Sequence, residues 1–133
     1  MPEIEWNVLR DNAIRVMRNA YAPYSRFPVG AAALTSDGRI VSGCNVENVS
    51  YGLALCAECV LVGNLFAGGG GRLAAVSVCD SRGEILMPCG RCRQLLYEHG
   101  GRDLLVDHRT GPVRLSTLLP DAFGPDDLSA GQQ

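Results

Sequence analysis

The chain of 133 residues contains no lysine, and all twelve of its basic residues are arginine. Against fourteen acidic residues they leave a formal charge of −2, with no basic stripe, which argues against nucleic acid or another polyanion as partner. No apolar run approaches the ~18 residues that a membrane span needs. The opening Met1-Pro2-Glu3-Ile4-Glu5 also lacks a signal-peptide pattern. A cytoplasmic protein with no membrane partner is expected. Histidine is scarce too: His99 and His108 are the only two and neither has ligand spacing, while His99 falls where a helix C-terminus welcomes a cation. With no internal repeat and no long linker, residues 1–125 should form one domain that buries about two-thirds of its unfolded surface. Residues 126–133 read as a disordered tail.

What is present is an ordinary globular composition, 47% hydrophobic and 20% charged, with six cysteines. In a reducing compartment these read as metal ligands or small buried residues, not as a disulfide framework. Cys44 and Cys79 fall at strand ends and take the second reading. The other four form two clusters, Cys56-Ala57-Glu58-Cys59 and Pro88-Cys89-Gly90-Arg91-Cys92, whose grouped thiolates point first to zinc. Two C-x2-C pairs suit a closed structural site of four thiolates, which does no chemistry. The carboxylate of Glu58 argues for the other reading, an open site of three thiolates with a working water, because a structural zinc has no use for an acid beside it. Spacing leaves both open. Helix starts at both clusters would favour a buried, negatively charged site, since free backbone N–H groups and the helix dipole stabilise thiolates there.

The periodicity predicts an amphipathic helix from Glu5 to Tyr21, with Leu9, Ala13, Val16, Met17 and Ala20 on its apolar side. Val29–Leu34 and Arg39–Asn45 read as a β-hairpin around Thr35-Ser36-Asp37-Gly38. Val46–Leu55 reads as a loop, Cys56–Ala67 as a buried helix stopped by four glycines, and Leu73–Cys79 as a strand. A second metal-bearing helix follows over Cys89–His99, then a strand over Asp103–Asp107 and a short helix over Leu115–Leu119. This order predicts one sheet covered by helices, with a parallel, right-handed strand-helix-strand unit from Leu73 to Asp107.

Cys56-Ala57-Glu58 followed by Pro88-Cys89-Gly90-Arg91-Cys92-Arg93-Gln94 resembles the small, homotetrameric, zinc-dependent cytidine deaminases. The resemblance extends to the segments 23–32, 44–52 and 118–124, four motifs in order over nearly the whole chain. It implies an α/β fold of three layers, α/β/α, with one central mixed sheet of about five strands. It implies one Zn²⁺ per subunit on Cys56, Cys89 and Cys92, with water or hydroxide in the fourth position. The implied reaction converts cytidine and 2′-deoxycytidine to the uridine products with release of ammonia, within pyrimidine salvage. Glu58 is the implied catalytic residue, taking the water's proton, protonating ring N3 and later delivering a proton to the departing amine.

The resemblance further implies that Asn45 and Glu47 bind the ribose 3′-hydroxyl, where a carboxylate would repel a 3′-phosphate and select a free nucleoside. Phe27 is the implied aromatic against the pyrimidine ring, and the backbone at Ala57 is expected to read the base edge. Tyr51 and Phe123 are expected at a neighbouring subunit's active site in a homotetramer. One departure stands out: members of the family commonly carry arginine after the catalytic glutamate, bonded to the zinc thiolates, and this chain has Cys59. Cys59 is read as a neutral buried thiol and Arg93 as the compensating cation. Two alternatives compete, a deaminase of the blasticidin S type within the superfamily and a non-catalytic four-cysteine zinc module outside it.

Overall fold

The computed structural model describes residues 2–132. Its first helix, α1 (Trp6–Met17), buries Leu9, Ala13 and Met17, one residue per turn of a single stripe. It stops four residues short of the expected Tyr21 because the backbone of Tyr21 is taken elsewhere. The Tyr21 N–H donates to the Asn45 carbonyl, and the Glu47 N–H donates back to the Tyr21 carbonyl. The expected hairpin forms as β1 (Val29–Thr35) and β2 (Ile40–Cys44), paired antiparallel with Ala32 opposite Ser42.

Helix α2 (Ala57–Ala67) leads into β3 (Leu73–Asp80), all eight of whose residues are buried. That burial explains its nearly unbroken apolar sequence, the pattern of a strand covered on both faces. Helix α3 (Gly90–Gly100) crosses to β4 (Leu105–Val106), which lies parallel to β3 as the sequence order requires. The expected strand over 103–107 is thus trimmed to two residues. A two-residue β5 (Val113–Arg114), too short to leave a periodic signal, closes the edge antiparallel to β4. Leu115–Leu118 forms the expected short helix, α4. The sheet order is β2-β1-β3-β4-β5, one mixed sheet of five strands.

Alternate residues of the strands face opposite layers. Ala32, Leu34, Ala75 and Cys79 pack with Leu9 and Ala13 of α1. Ala31, Ala33, Val76 and Val78 pack with Leu61 and Leu65 of α2 and Leu96 of α3 on the other side. This is the expected three-layer arrangement. The tail differs from expectation, because Pro125–Gly131 forms a helix, α5. Proline in its first turn presets the helical φ, acidic Asp126 and Asp127 complement the dipole, and Asp127 accepts the Gly124 N–H at 2.8 Å. Gln133, the last residue of that expected tail, lies outside the described residues.

Candidate active site

The first turns of α2 and α3 bring the two cysteine clusters together. Cys56 and Cys89 each occupy the N-cap of their helix with extended backbone, so both sulfurs sit where backbone N–H groups are free. Cys92 follows within the first turn of α3 and is buried. The sulfurs of Cys56, Cys89 and Cys92 lie within 4.8 Å of one another. A tetrahedral zinc with bonds of about 2.3 Å requires sulfurs roughly 3.8 Å apart, so small adjustments would close the three onto one ion. Cys59, one turn along α2, is not part of this cluster. The geometry therefore favours the open three-thiol arrangement over a four-cysteine one.

Electrostatics points the same way. Burial pushes the thiols of Cys92 and Cys56 up, whereas the N–H of Cys92 holds Cys89 below its ordinary value. Three such groups ionise together only with a cation between them, and a soft three-sulfur donor set suits zinc. Glu58 sits in the same first turn of α2 with 4% of its surface exposed. Burial raises its carboxyl above the usual carboxylate range. Its wall is shared: Glu58, Ala57, Cys56, Cys89, Asn45 and Val29 line one cavity of about 190 Å³.

The other residues singled out from the sequence divide between this cavity and its surroundings. Glu47 and Tyr51 line a second cavity of about 330 Å³ with Tyr24 and Ser25. Asn45 Nδ2 donates to the Phe27 carbonyl at 2.9 Å, while its Oδ1 accepts the Val29 N–H at 2.8 Å. Glu47 accepts the N–H groups of Tyr24 and Ser25 and the hydroxyl of Ser25. Both residues thus shape the 24–29 segment. Phe27 and Phe123 are 49% and 65% exposed and line neither cavity, and Tyr51 is 78% exposed. The Phe123 carbonyl accepts from Gln94 on α3 at 2.8 Å, which docks the C-terminal segment beside the metal-bearing helix.

One expectation needs correction. Arg93 does not face the sulfurs: its Nε donates to the Pro88 carbonyl at 2.8 Å and its Nη1 to the Leu118 carbonyl at 2.9 Å, bracing the turn before α3. Arg91 faces them instead, with Nη2 at 3.9 Å from both Cys56 Sγ and Cys59 Sγ. His99 lies in the last turn of α3, as expected from the sequence. It packs edge-on against Phe66 at 5.1 Å, and burial lowers its pKa. Ser25, whose hydroxyl bonds Glu47 and accepts the Phe27 N–H, had no recognisable signal of its own.

Another cleft, of about 600 Å³, is lined by none of the cysteines and by Arg10, Arg82 and Arg109. Two of those guanidiniums are spent on Asp107 and Asp80, so the cleft offers little free charge.

A family model for the cytidine and deoxycytidylate deaminase zinc-binding region matches residues 6–107. The chain belongs to this family. Among relatives of this deaminase-family chain, a protein named cytidine deaminase from Mycobacterium tuberculosis is 64% identical over 128 residues, 96% of each chain. Another so named from Halalkalibacterium halodurans is 38% identical over 127 residues, covering 92% of this chain and 96% of that one. The crystal structure of cytidine deaminase from Mycobacterium tuberculosis superposes with a TM-score of 0.90 at 63% identity, covering 92% of this chain and 99% of the other. That from Mycobacterium leprae gives 0.87 at 54% identity over 90% of this chain and all of the other. The three-layer deaminase fold and zinc as the family's metal follow, and Cys56, Cys89 and Cys92 are placed so that they could hold such an ion. No helix among the described residues is long and apolar enough to cross a membrane.

Proposed function

We propose that this chain hydrolyses cytidine and 2′-deoxycytidine to uridine and 2′-deoxyuridine, releasing ammonia, as a zinc enzyme of pyrimidine salvage. The observation that carries the reading is that the buried Glu58 lines the same cavity as Cys56 and Cys89 of the thiol cluster. Cys56, Cys89 and Cys92 would hold the zinc. When bound, the ion supplies the Lewis acidity that makes a water nucleophilic at neutral pH.

Glu58 moves the protons. Its carboxylate takes one proton from the attacking water and passes it to ring N3. It then takes the second proton from the hydroxyl added at C4 and hands it to the amine, so that the C4–N bond breaks as the C4 carbonyl forms and ammonia leaves. A carboxyl raised by burial exchanges protons near neutrality more readily than an exposed one. Ala57, at the cavity wall, presents backbone groups to the base edge. Asn45 lines the cavity and Glu47 stands at its neighbour, and both would meet the ribose. Glu47 already accepts three hydrogen bonds, which leaves about one of a carboxylate's four acceptor positions for a 3′-hydroxyl. A phosphate there would meet that negative charge, so a free nucleoside is the substrate.

A cavity of about 190 Å³ is small beside the roughly 300–1,000 Å³ of ligand pockets in general. Phe27, Tyr51 and Phe123, large and exposed, would supply missing walls when copies of the chain assemble, and the assembly we infer is a homotetramer with shared sites. The assignment of three of the six cysteines to a metal suits a reducing, cytoplasmic setting.

The test measures zinc and turnover on one purified sample, following ultraviolet absorbance and ammonia. One zinc per chain with turnover of cytidine is expected. Glu58→Gln should keep the zinc and lose at least about 100-fold in kcat. Full zinc without turnover of cytidine would overturn the reading.

A further inference from the structure

We infer that Arg91 is the counter-charge of the metal centre, a guanidinium held between two thiols of α2 to neutralise the zinc-loaded cluster. The inference rests on the zinc reading above and adds to it a residue that touches neither substrate nor metal.

Three thiolates and one divalent cation leave a net charge of −1, beside a carboxyl that becomes negative whenever Glu58 gives up its proton. Cys92 and Glu58 are buried, so solvent screens their side of that charge poorly, while Cys89 and Arg91 lie on the exposed side. Only one guanidinium among the described residues is directed at the sulfurs. Arg91 leaves α3 between Cys89 and Cys92 and reaches across to α2, with Nη2 at 3.9 Å from Cys56 Sγ and 3.9 Å from Cys59 Sγ. It forms none of the ion pairs between the described residues, whereas both bonds of Arg93 end on backbone carbonyls. At 3.9 Å the contacts are long for N–H···S bonds, so the main effect is Coulombic. The cluster carries that negative charge only when loaded, so a guanidinium beside it favours the zinc-bound state. This effect outweighs the small loss of donor strength at Cys56 and leaves the ion a stronger Lewis acid. Cys59 takes on a meaning in this arrangement: its small side chain leaves room for the guanidinium that arrives from α3.

The convergence of positions 59 and 91 gives a reciprocal test, by competition for zinc with a chromophoric chelator and by the thiolate-to-metal absorption of the cobalt(II)-loaded protein. Arg91→Ala should weaken zinc binding about tenfold, the scale on which outer partners of a metal site act. It should also shift the cobalt charge-transfer band, and Arg91→Lys should do less of both. Cys59→Arg alone should weaken zinc binding, because two guanidiniums then compete for one place. In the Arg91→Ala background the same Cys59→Arg change should restore both affinity and band position.

Wild-type affinity and an unshifted band in Arg91→Ala would overturn the inference. So would a loss in Arg91→Ala that Cys59→Arg does not repair, since a packing role alone predicts no rescue. If the wild-type chain itself binds no zinc, the fault lies in the metal reading on which this one stands.

Discussion

Arg10 grips Asp107 through two parallel bonds, Nε to Oδ2 at 2.7 Å and Nη2 to Oδ1 at 2.9 Å, joining residues 97 apart in sequence. Asp107 is fully buried behind the end of β4 and accepts one further bond, from Ser77 Oγ at 2.8 Å. This pair fastens α1 to the far half of the sheet. Arg10→Ala would leave a buried carboxylate with a single neutral donor. Removing one partner of a buried pair costs about 3–5 kcal/mol. The Arg10 side chain is 35% exposed, so the expected loss is smaller, about 2–3 kcal/mol. Denaturant midpoints at one fixed protein concentration measure it, and the double variant Arg10→Ala/Asp107→Asn should recover part of the loss.

Neither residue could be read from the sequence, and the reason is physical. Periodicity, apolar composition and punctuation are local signals. They located α1 by its buried stripe, β3 by its burial on both faces, and the hairpin and both cysteine-bearing helices by their length and the turns that bound them. The thiol cluster was legible for the same reason: its ligands come from two short motifs, each at a helix start. Interactions that join distant segments left no local trace. Arg10 and Asp107 look like ordinary surface charges, and the choice between Arg91 and Arg93 depends on which way α3 is turned. The two-residue β5 and the trimmed β4 are too short for a period to show. Asn45 and Glu47 stood out by motif, but the extent to which their side chains organise residues 24–29 appears only in the folded chain.

Two glycines mark places where helices touch the sheet backbone. A Cβ at Gly30 of β1 would lie 2.0 Å from the Ala13 carbonyl oxygen on α1. One at Gly43 of β2 would lie 2.3 Å from the Leu61 nitrogen and 2.7 Å from the Ala57 oxygen on α2. Backbone cannot yield as a flexible side chain does, so each alanine should cost about 3 kcal/mol, the upper end for overpacking. Their functional effects should separate. Gly43→Ala displaces the helix that carries Cys56 and Glu58 and should reduce zinc content and kcat, whereas Gly30→Ala displaces α1, which carries neither. Gly63→Ala serves as the contrast: nothing lies within 4 Å, and removing a mid-helix glycine should stabilise by about 0.5–1 kcal/mol. Equal loss of zinc in the Gly30 and Gly43 variants would contradict this assignment.

Asp80 ties together the loop that follows β3 and gives the fold a pH dependence of definite sign. Its carboxylate is buried and accepts the N–H groups of Arg82 and Glu84 at 2.9 and 3.0 Å, together with Arg82 Nε and Nη2 at 3.1 and 2.8 Å. The hydrogen bonds from the Arg82 side chain, with the backbone donors behind them, hold its pKa below the usual carboxylate value. A depressed carboxyl contributes stability that is complete above the unfolded pKa of about 3.9 and is lost as pH falls through the lower folded value. Asp80→Asn removes that contribution. The Tm gap between wild type and variant should therefore be widest and flat near neutrality and should narrow as pH drops below about 4. Acid also strips metal from thiolates, but in both proteins alike, so the difference in Tm isolates Asp80. The same loop delivers Leu86 and Met87 to the wall of the thiol-lined cavity. A slackened Asp80 turn should therefore raise KM at neutral pH before it lowers kcat, and a gap in Tm that persists unchanged into acid would show that Arg82 does not hold this carboxylate in solution.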